Sequence, residues 1–153
     1  MLLDKKMFNE NIMLFDDDAV TREAAITKLS NKLLDRDIVK SSFLNAILIR
    51  ENNYPTGLQL SNNLGVAIPH TDADKVNQDQ IAFMSFKNPI TFRQMASETE
   101  VVPVNMIFIL CLKSPHDQLD MLQNLMALFT NNEFMMQLIK CHNQKEFFHV
   151  LEN

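Results

Sequence analysis

One apolar run limits the possible folds more than any other feature of the sequence. It extends from Met106 to Leu112, and every residue in it is apolar. The run is far too short to cross a bilayer as a helix, so it predicts a strand that is buried on both faces. Because such a strand must be covered by helices on both sides, the run favours an α/β layered fold.

The rest of the chain alternates between short apolar runs and segments with helical spacing. The runs predict strands, which we place at 7–15, 64–68, 81–86 and 101–112. The helical segments lie between them, from the acidic residues at 16–18 to before Asp37, from about 42 to 53, and in three pieces after Ser114. No repeat or flexible linker divides the chain, so we predict one domain over residues 1–153.

Composition excludes several classes of ligand. The formal net charge is −5 and there is no basic cluster, so nucleic acid and anionic membranes are poor candidate partners. Gly57 and Gly65 are the only glycines, so the glycine-rich phosphate-binding loops are absent. The segment Met1–Glu10 lacks the apolar stretch of a signal peptide, which predicts a cytoplasmic protein.

His70 is the main candidate for chemistry. It follows a short buried strand and the rigid residue Pro69, at the strand end where ligand sites of α/β sheets gather. A neutral imidazole is a good nucleophile near pH 7, and a phosphohistidine suits group transfer because histidine is both nucleophile and leaving group. The alternative is a loop or packing histidine, which is the commoner role for a histidine at such a position.

The helix after the long strand is the second candidate feature. Its start at 114–117 matches a capping box, and its first-turn N–H groups and dipole can bind an anion. If the strands before this helix and before His70 are parallel and adjacent, the helix start meets His70. His116 and Gln118 could then hydrogen-bond phosphoryl oxygens, although His116 can also be read as an ordinary polar first-turn residue.

A metal site is the rival interpretation of the same region. His70, Asp72 and Asp74 have the spacing H-x-D-x-D, which would place three ligands on one face of an extended strand. The segment follows a proline and is predicted to be a loop, and no further cluster completes a ligand shell. We therefore expect no metal and no other cofactor.

Three segments together resemble a known family. They are Arg50-Glu51, the turn Tyr54-Pro55-Thr56-Gly57-Leu58, and the strand with its histidine, Gly65-Val66-Ala67-Ile68-Pro69-His70. This order resembles the fructose–mannitol type of IIA component of the bacterial sugar phosphotransferase system (PTS). The turn and the longer loop before the strand are most similar to the galactitol-specific branch.

The resemblance implies a fold, a reaction and partners. The fold is a single EIIA type 2 domain with a three-layer α/β/α arrangement, whose mixed sheet is mostly parallel. His70 accepts a phosphoryl group from the phosphocarrier HPr, with Nε2 as the expected atom, and passes it to a cysteine of the IIB component, which serves the membrane IIC permease. Arg50 would neutralise phosphoryl charge or guide the partner, and the Thr56 hydroxyl would lie near the site.

The sequence departs from the family at one position. Many members carry a second histidine at the start of the helix after the long strand, and Gln118 stands there in this chain. Gln118 can donate an amide hydrogen bond but cannot carry a titrating charge, and His116 lies two residues earlier. Two alternatives to sugar transport stay open: a regulatory IIA-like protein of a nitrogen-related phosphorelay, and a non-catalytic interaction domain of the same fold.

Overall fold

The computed structural model describes residues 3–152 and contains five strands and five α-helices. The strands are β1 (Met13–Asp17), β2 (Gly57–Gln59), β3 (Gly65–Ala67), β4 (Gln80–Arg93) and β5 (Val101–Cys111). The helices are α1 (Arg22–Asp35), α2 (Phe43–Asn53), α3 (Pro115–Leu128), α4 (Asn132–Ile139) and α5 (Gln144–Glu152). None of the helices within 3–152 is both long and apolar enough to span a membrane.

The strands form one mixed sheet in the order β1-β4-β5-β3-β2. β1 pairs with β4 and β3 with β5 in parallel, while β4 with β5 and β2 with β3 are antiparallel. The predicted α/β class and mixed sheet are confirmed, but parallel pairing is not the majority. The reason is that only residues 94–100 join β4 to β5, which suffices for a hairpin and not for a parallel crossover.

Side chains alternate between the two faces of the sheet, and each face is covered by its own helices. Ala82 and Met84 of β4 pack in one core with residues of α1 and α2. Ile81 and Phe83 point to the opposite core, which contains residues of α3, α4 and α5. There the Phe83 ring lies 4.9 Å from the Phe147 ring of α5, measured between centroids. The three-layer arrangement is thereby confirmed.

Several predicted boundaries are corrected. The strand expected over 7–15 begins only at Met13, because residues 5–8 form a 3-10 turn, which the Asp4 side chain caps by accepting the Lys6 N–H. β4 continues beyond the proline at position 89, because a register shift between Ser85 and Ile90 removes that residue from the regular ladder. The loop predicted after Pro55 contains β2, which pairs with β3 at the edge of the sheet.

β3 can lie where it does because Gly65 has no side chain. A Cβ atom at this position would be 2.0 Å from the carbonyl oxygen of Pro103 in β5, which no larger residue tolerates without movement of a strand. The backbone N–H of Gly65 instead donates to the side-chain oxygen of Asn105. This close approach of the two backbones fixes the position of β3 against β5, and β3 leads to His70.

Candidate active site

His70 lies beyond the carboxyl end of β3, beside the carboxyl end of β5. The parallel register pairs Val66 with Met106 and Ala67 with Ile107, and the Leu110 N–H continues the contact by donating to the Pro69 carbonyl at 3.2 Å. The two strand ends are therefore parallel and adjacent, which is the condition that the sequence argument required. This arrangement confirms that the start of α3 and His70 both lie at the carboxyl ends of the neighbouring strands β5 and β3.

The His70 imidazole is oriented by one backbone hydrogen bond. Its Nδ1 atom lies 2.8 Å from the Ile68 carbonyl oxygen. Because a carbonyl oxygen only accepts, Nδ1 must carry the proton, and in the neutral ring the lone pair is then on Nε2. The geometry thus leaves the free lone pair on Nε2, which is the nitrogen that the family resemblance implies for phosphorylation.

The protein also keeps this ring neutral. Burial of the imidazole lowers the pKa of His70 below its ordinary value, and the positive charge of Arg50 lowers the pKa further. The hydrogen bond to Ile68 acts in the opposite direction and is outweighed. A neutral ring at pH 7 has its Nε2 lone pair available for bond formation.

Arg50 supplies a cation whose charge acts on the His70 ring. It lies in the last turn of α2, with its guanidinium carbon 4.8 Å from the centre of the Tyr54 ring. One guanidinium nitrogen is 4.0 Å from Asp72, on the loop that follows His70. The side chains of Arg50 and Asp72 are 41% and 76% exposed, so their attraction is weak, and a more highly charged anion could replace Asp72.

The Thr56 hydroxyl lies in a buried hydrogen-bond network beside the segment that leads to His70. Its hydroxyl donates to Glu51 Oε1 at 2.7 Å and accepts from the Ile68 N–H at 3.1 Å. The Thr56 N–H donates to Glu51 Oε2 at 2.8 Å, and both residues are buried, with 2% of Glu51 and 4% of Thr56 exposed. The only hydroxyl proton of Thr56 is already used on Glu51, so in this arrangement the hydroxyl has no proton left to donate to a phosphoryl group.

The structure brings Gln118 to the site and turns His116 outward. The side-chain amide of Gln118 donates to the Thr71 carbonyl at 2.7 Å and so ties the first turn of α3 to the residue after His70. The His116 ring instead lies 3.3 Å from Asp120 on its own helix, and its side chain is 80% exposed. Of the two residues considered as substitutes for the family's second histidine, Gln118 is bonded to the segment that follows His70, whereas His116 is paired with Asp120.

The rival metal site has no support in the geometry. Among residues 3–152, no group of three or more His, Cys, Asp and Glu side chains is arranged to hold a metal ion. Asp72 is directed to Arg50, and Lys75 lies 3.9 Å from Asp74. The H-x-D-x-D spacing therefore belongs to a loop with local ion pairs.

Comparison with known proteins decides the family. The family model for the phosphoenolpyruvate-dependent sugar phosphotransferase system, EIIA 2, matches residues 6–153. The chain belongs to this EIIA type 2 family. Membership carries a general role in phosphoryl transfer within sugar transport, and it confirms the resemblance drawn from the three sequence segments.

Individual relatives agree with this family. Over 120 residues the chain is 27% identical to the galactitol-specific EIIA component of Escherichia coli K12. The matched residues cover 78% of this chain and 79% of that protein. A Streptococcus mutans protein assigned as a PTS IIA superposes with a TM-score of 0.77 at 23% identity, covering 96% and 91% of the two chains. A chain of the complex of enzyme IIAMTL and phosphorylated enzyme IIBMTL from E. coli gives 0.71 at 19% identity, covering 92% and 94%. The two structural likenesses show the shared fold.

Glu51 has a place in the site that the sequence does not predict. In the sequence it stands only as the neighbour of Arg50 in the Arg-Glu pair, yet it is among the most buried of the described polar residues. The signal that could have found it is helical spacing, because Phe43, Ile47 and Glu51 follow at intervals of four residues and share the buried face of α2. A carboxylate on an otherwise apolar face requires hydrogen-bond partners, and Thr56 supplies them.

We expect Glu51 to make folding stability depend on pH. Burial raises its pKa from 4.5 to about 7, against the opposing effect of the two Thr56 hydrogen bonds and of Arg22 and Arg93. The folded state thus binds this proton more tightly than the unfolded chain does. The resulting stability is fully present below pH 4.5 and is lost as pH rises through about 7, which amounts to about 3 kcal/mol.

The measurement is urea unfolding of the wild type and of Glu51→Gln between pH 5 and pH 8. The free energy of unfolding of the wild type should fall relative to that of the variant as pH rises, because glutamine does not titrate. Parallel curves across the whole range would contradict the raised pKa of Glu51. Other titrating groups are common to both proteins and cancel in this comparison.

We also expect phosphoryl uptake to tolerate mildly acidic pH. A histidine of ordinary pKa is about half protonated at pH 6.5 and would lose about half of its nucleophilic form there. Because the pKa of His70 is lowered, the rate of uptake by this protein should fall by clearly less than half between pH 7.5 and pH 6.5. Rapid-quench measurement with a donor phosphorylated beforehand checks this, and a half-maximal rate at or above pH 6.5 would refute it.

Proposed function

We propose that this protein is the phosphoryl carrier of a sugar PTS for galactitol or a related polyol. His70 accepts the group from phospho-HPr and donates it to a cysteine of the IIB component, which in turn serves the IIC permease, and the exchange takes place in the cytoplasm. The observation that carries the proposal is the hydrogen bond from His70 Nδ1 to the Ile68 carbonyl, which leaves the Nε2 lone pair for phosphorus.

The chemistry at His70 needs no proton transfer. The Nε2 lone pair attacks phosphorus and forms an N–P bond, while the bond between phosphorus and the donor atom breaks and its electrons stay with the donor. The ring then carries a positive charge, and the Nδ1 proton remains on its bond to the Ile68 carbonyl. When a thiolate attacks the same phosphorus, the N–P bond breaks and its electron pair returns to Nε2.

Two sources of positive potential support this exchange. The Arg50 guanidinium is near enough to influence the His70 ring and can bind phosphoryl oxygens with two parallel N–H groups. The first turn of α3 starts at the same sheet edge and offers N–H groups together with the helix dipole. Gln118 uses one amide proton on Thr71 and has a second for a phosphoryl oxygen.

The relatives support the choice of partners and sugar. The 27% identity to a galactitol-specific EIIA component supports galactitol or a similar polyol as the transported solute. The IIAMTL relative was solved with phosphorylated enzyme IIBMTL, which supports a IIB protein as acceptor. Transfer between proteins also fits a site whose Arg50 and Asp72 side chains are exposed, since such encounters are brief and use small surfaces.

A reconstituted relay tests the proposal. Labelled phosphoenolpyruvate, Enzyme I and HPr are incubated with this protein, and a IIB protein of the galactitol system is added as a chase. We expect label on this protein first and then on the IIB cysteine. Label that loads but never moves to IIB would favour the regulatory alternative, and a failure to load would favour the non-catalytic one.

A further inference from the structure

We propose that Glu51 and Thr56 are positioning residues of the phosphoryl-transfer site. Through a buried chain of hydrogen bonds from Glu51 to Thr56 to the Ile68 backbone, they hold the carbonyl that selects the His70 tautomer. The inference rests on the proposed function for its biological meaning. Its physical content concerns the unphosphorylated protein and can be tested there independently.

The chain of contacts is continuous from α2 to the imidazole. Glu51 Oε1 accepts the Thr56 hydroxyl proton at 2.7 Å, and the same hydroxyl oxygen accepts the Ile68 N–H at 3.1 Å. The Ile68 carbonyl then accepts the His70 Nδ1 proton at 2.8 Å. Thr56 and Ile68 are thus the two links between the helix that carries Arg50 and the ring that would carry phosphate.

Ile68 depends on Thr56 because it lies just outside the strand. β3 ends at Ala67, and the Ile68 N–H is bonded to the Thr56 hydroxyl rather than to a neighbouring strand. The next residue, Pro69, has no N–H, and its carbonyl is fixed by Leu110. The direction of the Ile68 carbonyl is therefore set by a side chain on one side and by the proline segment on the other.

Glu51 makes the Thr56 hydroxyl a reliable acceptor. A hydroxyl rotates, and it accepts from Ile68 in one fixed direction only if its own proton has a fixed partner. Glu51 provides that partner and also accepts the Thr56 N–H at 2.8 Å, so both donors of this residue are held by one carboxylate. Glu51 is 2% exposed and shares its helix face with Phe43 and Ile47. Burying an apolar side chain at this position would cost less free energy than burying a carboxylate, so stability alone does not account for Glu51.

Loss of the hydrogen bonds from Glu51 through Thr56 to Ile68 has a chemical consequence at His70. If the Ile68 carbonyl is no longer held in place, the preference for the Nδ1–H form weakens and the Nε2–H form becomes populated. In that form the lone pair is on Nδ1, and phosphorylation would occur there as well. The variant would then give a mixture of two phosphohistidine isomers where the wild type gives one.

The test is ¹⁵N NMR of the His70 ring at pH 8 in the unphosphorylated protein, in the wild type, Thr56→Val, Thr56→Ser and Glu51→Gln. We expect wild type and Thr56→Ser to show a protonated Nδ1 and an unprotonated Nε2. Thr56→Val and Glu51→Gln should show both ring shifts moved toward the averaged values of exchanging tautomers. Ser30→Ala removes a buried hydroxyl of α1 that is not part of the hydrogen-bond series from Glu51 to His70, so it should leave the His70 shifts unchanged.

Unchanged His70 shifts in both Thr56→Val and Glu51→Gln, with the fold retained, would overturn the proposal. Two variants are used so that misfolding of one leaves the other to decide, and rescue by Thr56→Ser separates the hydroxyl from the packing of the side chain. Phosphorylation with HPr then provides a separate readout by ³¹P NMR of the isomers. A wild type that fails to load defeats the proposed function, while the tautomer measurement still decides the positioning role.

Discussion

Replacing His70 with alanine is expected to reduce phosphoryl uptake to the background of the assay. No other described side chain places a neutral nitrogen lone pair beside both the cation of Arg50 and the start of α3. The loss should be at least about 10³-fold in initial rate, because no alternative nucleophile completes the reaction. The free energy of unfolding should change by about 1 kcal/mol or less, since the ring is only partly buried and is bonded to a backbone carbonyl.

The measurement is label uptake from phospho-HPr over the first seconds of reaction. His149→Ala is the matched control, because this histidine is exposed in α5 and far along the chain from the site. The control should load at the wild-type rate. If His70→Ala retains more than a tenth of the wild-type rate while staying folded, another residue must carry the phosphoryl group.

Removal of the Arg50 guanidinium is the second large effect that we expect. Arg50→Ala should lower the rate of phosphoryl uptake by about 10²- to 10³-fold, in the range known for deleting one preorganised group that stabilises transition-state charge. Arg50→Lys keeps the charge but loses the planar pair of donors and the ring-stacking fit on Tyr54, so an intermediate loss of about tenfold is expected.

Single-turnover kinetics with phospho-HPr separate binding from transfer in these variants. Arg36→Ala is the control, because Arg36 is likewise a half-exposed arginine near a helix end but is bonded to Glu10. A rate for Arg50→Ala within twofold of wild type would show that this cation acts on neither the phosphoryl group nor its approach. An effect confined to the concentration dependence would assign Arg50 to partner binding.

The part of the site that the sequence predicts is the part made by strands and their ends. The apolar strand before Pro69 and the long run ending at Leu112 could be recognised from hydrophobic pattern alone. Their parallel adjacency places His70 beside α3, and this adjacency had to be assumed before the structure showed it. The direction of the β4–β5 pairing could have been predicted from the short connection between them.

The part that the sequence does not predict is made by side-chain direction. The family resemblance implies that the Thr56 hydroxyl faces the site, but this hydroxyl is turned inward to Glu51. His116 and Gln118 both belong to the first turn of α3, but helix geometry carries His116 to the outer face, where it meets Asp120. A helical residue's direction depends on how the helix is rotated against the sheet, and local sequence does not determine that rotation.

The most direct test of the carrier role is the intact mass of the protein after incubation with phosphoenolpyruvate, Enzyme I and HPr. A carrier role for His70 predicts a gain of one phosphoryl group in the wild type, labile to acid, and no gain in His70→Ala. No gain in the wild type, in a reaction where HPr itself is shown to be phosphorylated, would contradict it. The chain would then keep the fold of the family without its chemistry.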